Sequence, residues 1–98
     1  MKHRYILVKS SIPLSNIDER EFYNSLNCYL GAEEYFLANP RILKVLDPQT
    51  FVLKVGLHGY EKVIAALGLI KSMKGIECAF YTVYASGTIK ALEKKYHF

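Results

Sequence analysis

The segment Ser86-Gly87-Thr88-Ile89-Lys90 holds the residue types that could bind an anion. It follows an apolar stretch and precedes a short basic one, a pattern that predicts a strand leading into a helix. The first N–H groups of a helix lack partners and its dipole is positive there, so two hydroxyls and the Lys90 ammonium could converge on a phosphate, for example one of RNA. Ser, Thr and Gly are also ordinary cap residues, and the local pattern alone favours a plain helix cap over an anion site.

Positive charge lies at both ends of the chain. The protein has 98 residues, a formal net charge of +4 and a pI of about 9.1, a balance that suggests a polyanionic partner. The segment 11–34 is acidic, with Arg20 its one basic residue. The basic residues near the two ends are Lys2, Arg4, Lys9, Lys90, Lys94 and Lys95.

Hydrophobic periodicity predicts one α+β domain over residues 1–98. A capping-box spacing at Asn16 and Glu19 predicts the start of the first helix and Gly31 its end, while residues 32–40 suggest a helical turn or loop. The predicted strands are 4–10, 41–47, 51–57 and 77–85, and the other helices are 60–70, closing by Gly75, and 88–95. This order is ferredoxin-like, or RRM-like: a βαββαβ antiparallel sheet with helices on one face and an extra carboxy-terminal helix. Such a fold places strand one beside strand four and brings the basic ends together.

The sequence offers little to build an enzyme site or a metal site. His3, His58 and His97 lie far apart, and none of the common catalytic or nucleotide-binding motifs occurs. Cys28 and Cys78 are isolated, so we expect reduced, partly buried thiols. There is no signal peptide and no run long enough to span a membrane, which predicts a cytoplasmic protein, or a nuclear one if the source is eukaryotic.

Base recognition on the central strands is not favoured by the sequence. The RNA recognition motif carries stacking aromatics in a conserved pattern, which residues 51–57 lack. Alternation predicts an open sheet face with Val52 and Lys54 on the third strand, and Tyr5 and Lys9 beside Leu7 on the first. One tyrosine is a poor stacking platform, so phosphate contact by the basic ends fits the residues better.

Taken together, these segments resemble the Pop-five family, the small protein subunit of archaeal and eukaryotic ribonuclease P. Residues 2–8 are similar to the opening strand of the family, 56–70 to its third strand and following helix, and 86–90 to its most recognisable motif. Many relatives have Arg where this chain has Lys90, which keeps the charge and loses bidentate geometry.

The resemblance implies a non-catalytic RNA-binding subunit of an endoribonuclease holoenzyme. The protein would support the ribonuclease P RNA in removing the 5′ leader of precursor tRNA by hydrolysis, and would meet precursor tRNA indirectly. The RNA would hold the catalytic Mg²⁺, and this chain would bind no cofactor. The implied protein partner is a larger barrel-fold subunit of the Rpp-thirty type, with a possible dimer of such pairs.

Two sets of residues are the candidate binding sites. The predicted RNA-binding residues are Lys2, His3, Arg4, Lys9, Ser86, Gly87, Thr88, Lys90, Lys94 and Lys95. The predicted protein interface comprises Glu19, Glu33, Tyr35, Phe36 and Leu37, because acids repel phosphate and exposed aromatic residues anchor interfaces. The alternative functions are a ferredoxin-like regulatory or assembly module that binds a small ligand or only a protein, and, less well supported, a small hydrolase.

Overall fold

Four antiparallel strands and four helices make up most of the chain in a computed structural model that describes residues 2–98. The elements are β1 (His3–Ser10), α1 (Glu19–Leu30), α2 (Ala32–Ala38), β2 (Arg41–Asp47), β3 (Thr50–Gly56), α3 (Tyr60–Leu69), β4 (Ser72–Met73), β5 (Ile76–Glu77), β6 (Phe80–Ser86) and α4 (Ile89–Tyr96). The main sheet has the order β2-β3-β1-β6, and β4 pairs with β5 in a small separate hairpin. This confirms the ferredoxin-like expectation. None of the helices within residues 2–98 is long and apolar enough to cross a membrane.

The main core lies between the sheet and helices α1 and α3. Alternate residues of β1 and β3 point into it, and its centre is a cluster of the Phe22, Phe51 and Phe80 rings. Phe22 lies 5.6 Å from Phe51 and 5.1 Å from Phe80 between ring centroids, within the range of favourable aromatic pairs. These rings fill the space between the sheet and the helices.

The N-cap of helix α1 lies two residues later than predicted. Asp18 is the N-cap, and its Oδ1 accepts a hydrogen bond from the Arg20 N–H at 2.9 Å. Asn16 instead lies in a 3-10 turn, Leu14–Asn16. The prediction of a cap at Asn16 was wrong because Leu14 and Ile17 pack against the core, which holds this segment out of the helical path.

Two close contacts to glycine hold α2 in place. Gly31 ends α1 with φ +86°, and the chain enters α2 at once. Ala38 is fully buried, and a Cβ on Gly59 would lie 2.5 Å from the Ala38 Cβ. A Cβ on Gly56 would lie 2.9 Å from the carbonyl oxygen of Leu37. Because both contacts leave no room for a side chain, α2 sits tightly on the turn that follows β3.

The segment after α3 differs from the sequence prediction. The helix ends at Leu69 instead of continuing toward Gly75, and the last long strand starts at Phe80 instead of 77. The turn of the small hairpin places Lys74 at φ +51°, and its N–H donates to Glu21 Oε1 at 2.8 Å. The Lys74 ammonium donates to Asp18 at 3.0 Å and holds the pKa of that carboxyl below its ordinary value. These contacts to α1 explain why the segment turns back instead of extending the helix.

Helix α4 covers the second face of the sheet. Leu92 is fully buried against Leu7 and Val52, with Ile89 and Tyr96 around it. The expectation that Leu7 and Val52 lie on an open face was therefore wrong. The apolar stripe of α4 has to bury its surface, and this sheet face is the apolar surface nearest to where β6 ends.

The two cysteines differ in exposure. Cys78 is buried, and burial raises the pKa of its thiol. Cys28 is exposed, so the expectation of partial burial was wrong for this residue. The buried apolar residues of α1 are Phe22 and Leu26, and Cys28 lies two residues beyond Leu26, a spacing that places it on another face of the helix.

The first prediction concerns the bridge that Tyr23 makes between α1 and β2. Its hydroxyl accepts from the Ile42 N–H at 2.9 Å and donates to Glu19 at 2.8 Å. We expect Tyr23→Phe to lower the free energy of unfolding by about 1–3 kcal/mol, because it leaves the partly buried amide of Ile42 without its acceptor. Urea denaturation measures this, with Tyr29→Phe on the exposed face of α1 as the matched control. An equal effect of the two substitutions would contradict the bridge.

Candidate nucleic-acid interface

The junction between β6 and α4 is a helix cap. Thr88 has extended backbone, and its Oγ1 accepts a hydrogen bond from the Ala91 N–H at 3.2 Å. The Ser86 Oγ accepts from the Thr88 N–H at 3.3 Å. Both hydroxyls are engaged with backbone amides, as the cap interpretation predicts. The positive charge that would attract an external anion therefore comes from Lys90 and from β1.

Arg4 of β1 lies beside Gly87 and joins the amino-terminal cations to this junction. Tyr5 and Ser86 are partners in the β1–β6 register. Arg4 and Gly87 are the next residues beyond this pair and therefore lie opposite each other. A Cβ on Gly87 would lie 2.7 Å from Nη1 of Arg4, so the missing side chain leaves room for the guanidinium. The guanidinium also lies over the Tyr60 ring, 5.6 Å from its centroid. This cation–π contact restricts where the charge can point.

An open cleft of about 390 Å³ runs along this end of the sheet. Its lining residues are Lys2, His3, Arg4, Tyr5, Leu57 and Gly87, and none of them is acidic. Within residues 2–98 the ion pairs involve Lys62 and Lys74, and neither of these lines the cleft. The cations of the cleft are thus available to an external anion.

Two lysines continue the positive surface along α4. Lys90 and Lys94 are four residues apart and exposed, a spacing that places them on one face of the helix. Lys95 differs, because its Nζ lies over the Tyr84 ring at 4.2 Å, toward the sheet. Lys94 and Lys95 occupy the last turn, where cations also stabilise the helix dipole.

Lys9 lies apart from the other predicted RNA-binding residues. It is five residues beyond Arg4 on the same strand, which corresponds to about 17 Å. Its register partners are Thr50 on β3 and Tyr81 on β6. The structure thus groups the other nine residues around the cleft and α4, and places Lys9 at the opposite end of β1.

The aromatic part of the predicted protein interface is largely exposed. Phe36 is 80% exposed and Leu37 51%, while Tyr35 packs partly against the core. All three line a groove of about 750 Å³. Leu43 of the edge strand β2 extends this apolar surface. An exposed apolar patch such as Phe36, Leu37 and Leu43 form together is typical of a surface that a partner covers.

The two acidic residues of that predicted interface have different surroundings. Glu33 lies exposed in the first turn of α2, close in sequence to Phe36. The carboxylate of Glu19 accepts the hydrogen bond of the Tyr23 hydroxyl, so this residue has a structural contact of its own. Arg41 and Lys54 add positive charge to the groove lining, which the sequence analysis did not anticipate.

Sequence reasoning also missed the exposed tyrosines of β6. Tyr81 is 58% exposed and Tyr84 37%, and the nearly continuous apolar run that predicted the strand did not indicate which of its residues would be exposed. The strand lies at the edge of the sheet, and periodicity alone does not distinguish an edge strand from a central one. The hydroxyls of the two tyrosines were the signal in the sequence that could have indicated exposure, because a buried tyrosine needs a hydrogen-bond partner.

The histidines occupy three different places. His3 lines the cleft, His58 is exposed before α3, and His97 follows α4. Within residues 2–98, no three His, Cys, Asp or Glu side chains come close enough to hold a metal ion.

Comparison with known proteins identifies relatives by sequence and by fold. The sequence profile of the Rpp14/Pop5 family matches residues 4–97. Comparison with curated proteins finds no match. Among solved structures, one chain of the cryo-EM structure of yeast ribonuclease MRP is similar, with 13% identity and a TM-score of 0.66 over 98% of this chain and 92% of that one. At this identity the structural match shows a shared fold.

The second prediction tests the contact between Arg4 and Gly87. We expect Gly87→Ala to leave the free energy of unfolding within about 0.5 kcal/mol of wild type, because the flexible end of Arg4 can move aside. The Arg4 guanidinium should leave its present position, which NMR detects as a shift of its Nε–Hε resonance. Gly68→Ala is the matched control, since a Cβ there meets open space. An unchanged Arg4 resonance in Gly87→Ala would contradict the contact.

Proposed function

The chain belongs to the Rpp14/Pop5 family of ribonuclease P and MRP protein subunits, and on that premise we propose that it binds ribonuclease P RNA and supports removal of the 5′ leader from precursor tRNA. The observation that carries the proposal is the meeting of Arg4 with the segment 86–90. Arg4 lies beside Gly87, and α4, which carries Lys90 and Lys94, begins two residues later, so cations from both chain ends lie around this junction. We define this cleft surface as Lys2, His3, Arg4, Gly87, Lys90 and Lys94.

The cleft surface would act by neutralising phosphates. Each lysine or arginine that replaces a counterion adds affinity that falls with salt concentration. Contacts of this kind fix the position of the RNA without reading its sequence. Arg4 suits a bidentate phosphate contact, while Lys90 and Lys94 act as point charges. By reducing repulsion between phosphates, the protein would help the RNA hold its active shape.

The hydrolysis itself is assigned to the RNA in this proposal. Mg²⁺ bound by the RNA would activate the attacking water, and this chain would contribute position and charge. Substituting His3, His58 or Asp47 is then expected to leave the chemical step nearly unchanged. The protein would work in the cytoplasm, or in the nucleus of a eukaryotic source.

The α2 groove would be the contact to a protein subunit. Phe36, Leu37 and Leu43 form its apolar part, and His3 lines both this groove and the cleft. The partner would be the larger barrel-fold subunit or a second copy of this chain. The alternative function as a ligand-binding module is less well supported, because aromatic rings fill the interior between the sheet and the helices.

The third prediction tests the cleft surface in the reconstituted holoenzyme. Arg4→Ala and Lys90→Ala should each weaken RNA binding and reduce the slope of log affinity against log salt by about 1. Both should also slow cleavage of precursor tRNA, most clearly at low Mg²⁺, where phosphate repulsion is least screened. Lys71→Ala is the matched control, since this exposed lysine lies beyond α3 at the other end of the sheet.

Two results would contradict the proposed function. One is an affinity and salt slope that Arg4→Ala and Lys90→Ala leave equal to those of Lys71→Ala. The other is cleavage of precursor tRNA by the purified protein alone, abolished by a single substitution at His3, His58 or Asp47.

The fourth prediction tests the α2 groove. Phe36→Ala should lower the assembled mass in light scattering with the partner subunit, because a truncated anchor typically costs about 1–4 kcal/mol of binding. The far-UV circular dichroism should not change, since Phe36 is largely exposed. Leu69→Ala is the matched control, being an exposed leucine on α3. Unchanged assembly of Phe36→Ala would place the interface elsewhere.

A further inference from the structure

The central strands of the sheet have no room to stack bases. RRM-type domains stack unpaired bases on aromatic side chains of the sheet surface. Here the corresponding central positions, Leu7 on β1 and Val52 on β3, are buried beneath Leu92 of α4. An aromatic platform for RNA, if this fold carries one, has to lie beyond the area that α4 covers.

A β-bulge places two tyrosines side by side on the face that α4 packs against. Tyr81 is the register partner of Lys9, and Tyr84 is the partner of Leu7. Residues three apart on a regular strand point to opposite faces. The register shift between Leu7 and Val8 adds one residue to β6, so Tyr81 and Tyr84 point to the same face. Their spacing is then that of neighbours two positions apart, about 7 Å.

The two rings differ in what already contacts them. Tyr84 lies 5.8 Å from the Tyr96 ring, and the Lys95 ammonium lies over it at 4.2 Å. Tyr81 is 58% exposed. It lies toward the start of β6, whereas α4 follows the other end of the strand, at Ser86. The outer of the two tyrosines therefore has the larger surface available for stacking.

Positive charge flanks this pair on both sides. Lys9 is exposed and directly opposite Tyr81, and Lys95 lies over Tyr84. Asp47 is the acid close to Lys9: a hydrogen bond from the Gln49 amide holds the pKa of its carboxyl below its ordinary value, and the charge of Lys9 contributes to the same lowering. Within the described residues, however, the ion pairs involve other lysines. Exposed aromatic rings between cations are the combination that binds single-stranded nucleic acid.

We propose that Tyr81 and Tyr84 form a stacking platform for unpaired RNA bases, with Lys9 and Lys95 binding the adjoining phosphates. The inference rests on the proposed function and deepens it, because it adds an unpaired segment of RNA to the phosphates bound at the cleft surface. Lys9, which lies apart from the other predicted RNA-binding residues, gains a role here. Duplex RNA is not a ligand of this platform, because its bases are stacked on one another and closed to side chains.

The test compares single-stranded and duplex RNA. The full chain is titrated with a short oligouridine and with a matched RNA duplex, followed by NMR and by fluorescence anisotropy. Tyr81→Ala should weaken oligouridine binding about tenfold or more, and Tyr81→Phe should retain the wild-type affinity because the ring still stacks. Duplex affinity should be the same in all three proteins. Lys9→Ala should reduce the oligouridine salt slope by about 0.7.

Tyr29→Ala serves as the matched control, since this tyrosine is similarly exposed but lies on α1. The inference is overturned if wild type does not bind oligouridine, if Tyr81→Ala binds it as Tyr29→Ala does, or if oligouridine and duplex lose affinity equally. It is also overturned if Tyr81→Ala changes only assembly with a protein subunit. If Arg4→Ala weakens RNA binding and Tyr81→Ala does not, the platform proposal is overturned and the proposed function is retained. Unchanged binding in both would also contradict the proposed function.

Discussion

The antiparallel pairing of β1 with β6 is the interaction on which the rest of the structure depends. Backbone hydrogen bonds set this register over most of both strands. Because of it, the two ends of the chain lie together, and Arg4 meets Gly87. The same pairing contains the bulge that turns Tyr81 and Tyr84 to one face. A slip of one residue would reverse the faces of all these side chains, so the register decides which surfaces the protein presents.

Helix α4 divides the sheet surface by packing on it. Its buried Leu92 covers Leu7 and Val52 and gives them an apolar neighbour, which removes the centre of this face from solvent. The opposite side of the helix then carries Lys90 and Lys94. One element thus hides the apolar middle of the sheet and adds cations beside the cleft. The surface left for aromatic contact is displaced to the edge strand.

The basic cleft and the exposed apolar side chains of α2 lie on neighbouring surfaces of the molecule. The cations of the cleft lie at the end of the sheet where β1 begins. Two acidic residues at the start of the first helix are engaged in contacts within the protein. Asp18 and Glu21 bind the Lys74 turn, and this contact holds the β4–β5 hairpin against α1. The exposed Phe36 sits on α2, which a buried contact between Ala38 and Gly59 holds in position. His3 lines both the cleft and the α2 groove, so a protein partner at α2 and RNA at the cleft would lie side by side.

The sequence by itself determined the order of the four long strands and of helices α1, α3 and α4, the basic ends and the family, because periodicity, caps and motifs are local properties of the chain. It placed a helix cap within residues 86–90 and the helix end at Gly31 for the same reason. Tertiary structure alone decided that α4 lies over Leu7 and that β6 is an edge strand with its tyrosines on one face. These features depend on contacts between residues distant in sequence. An apolar stripe indicates that a surface is buried, but it does not indicate which other surface covers it.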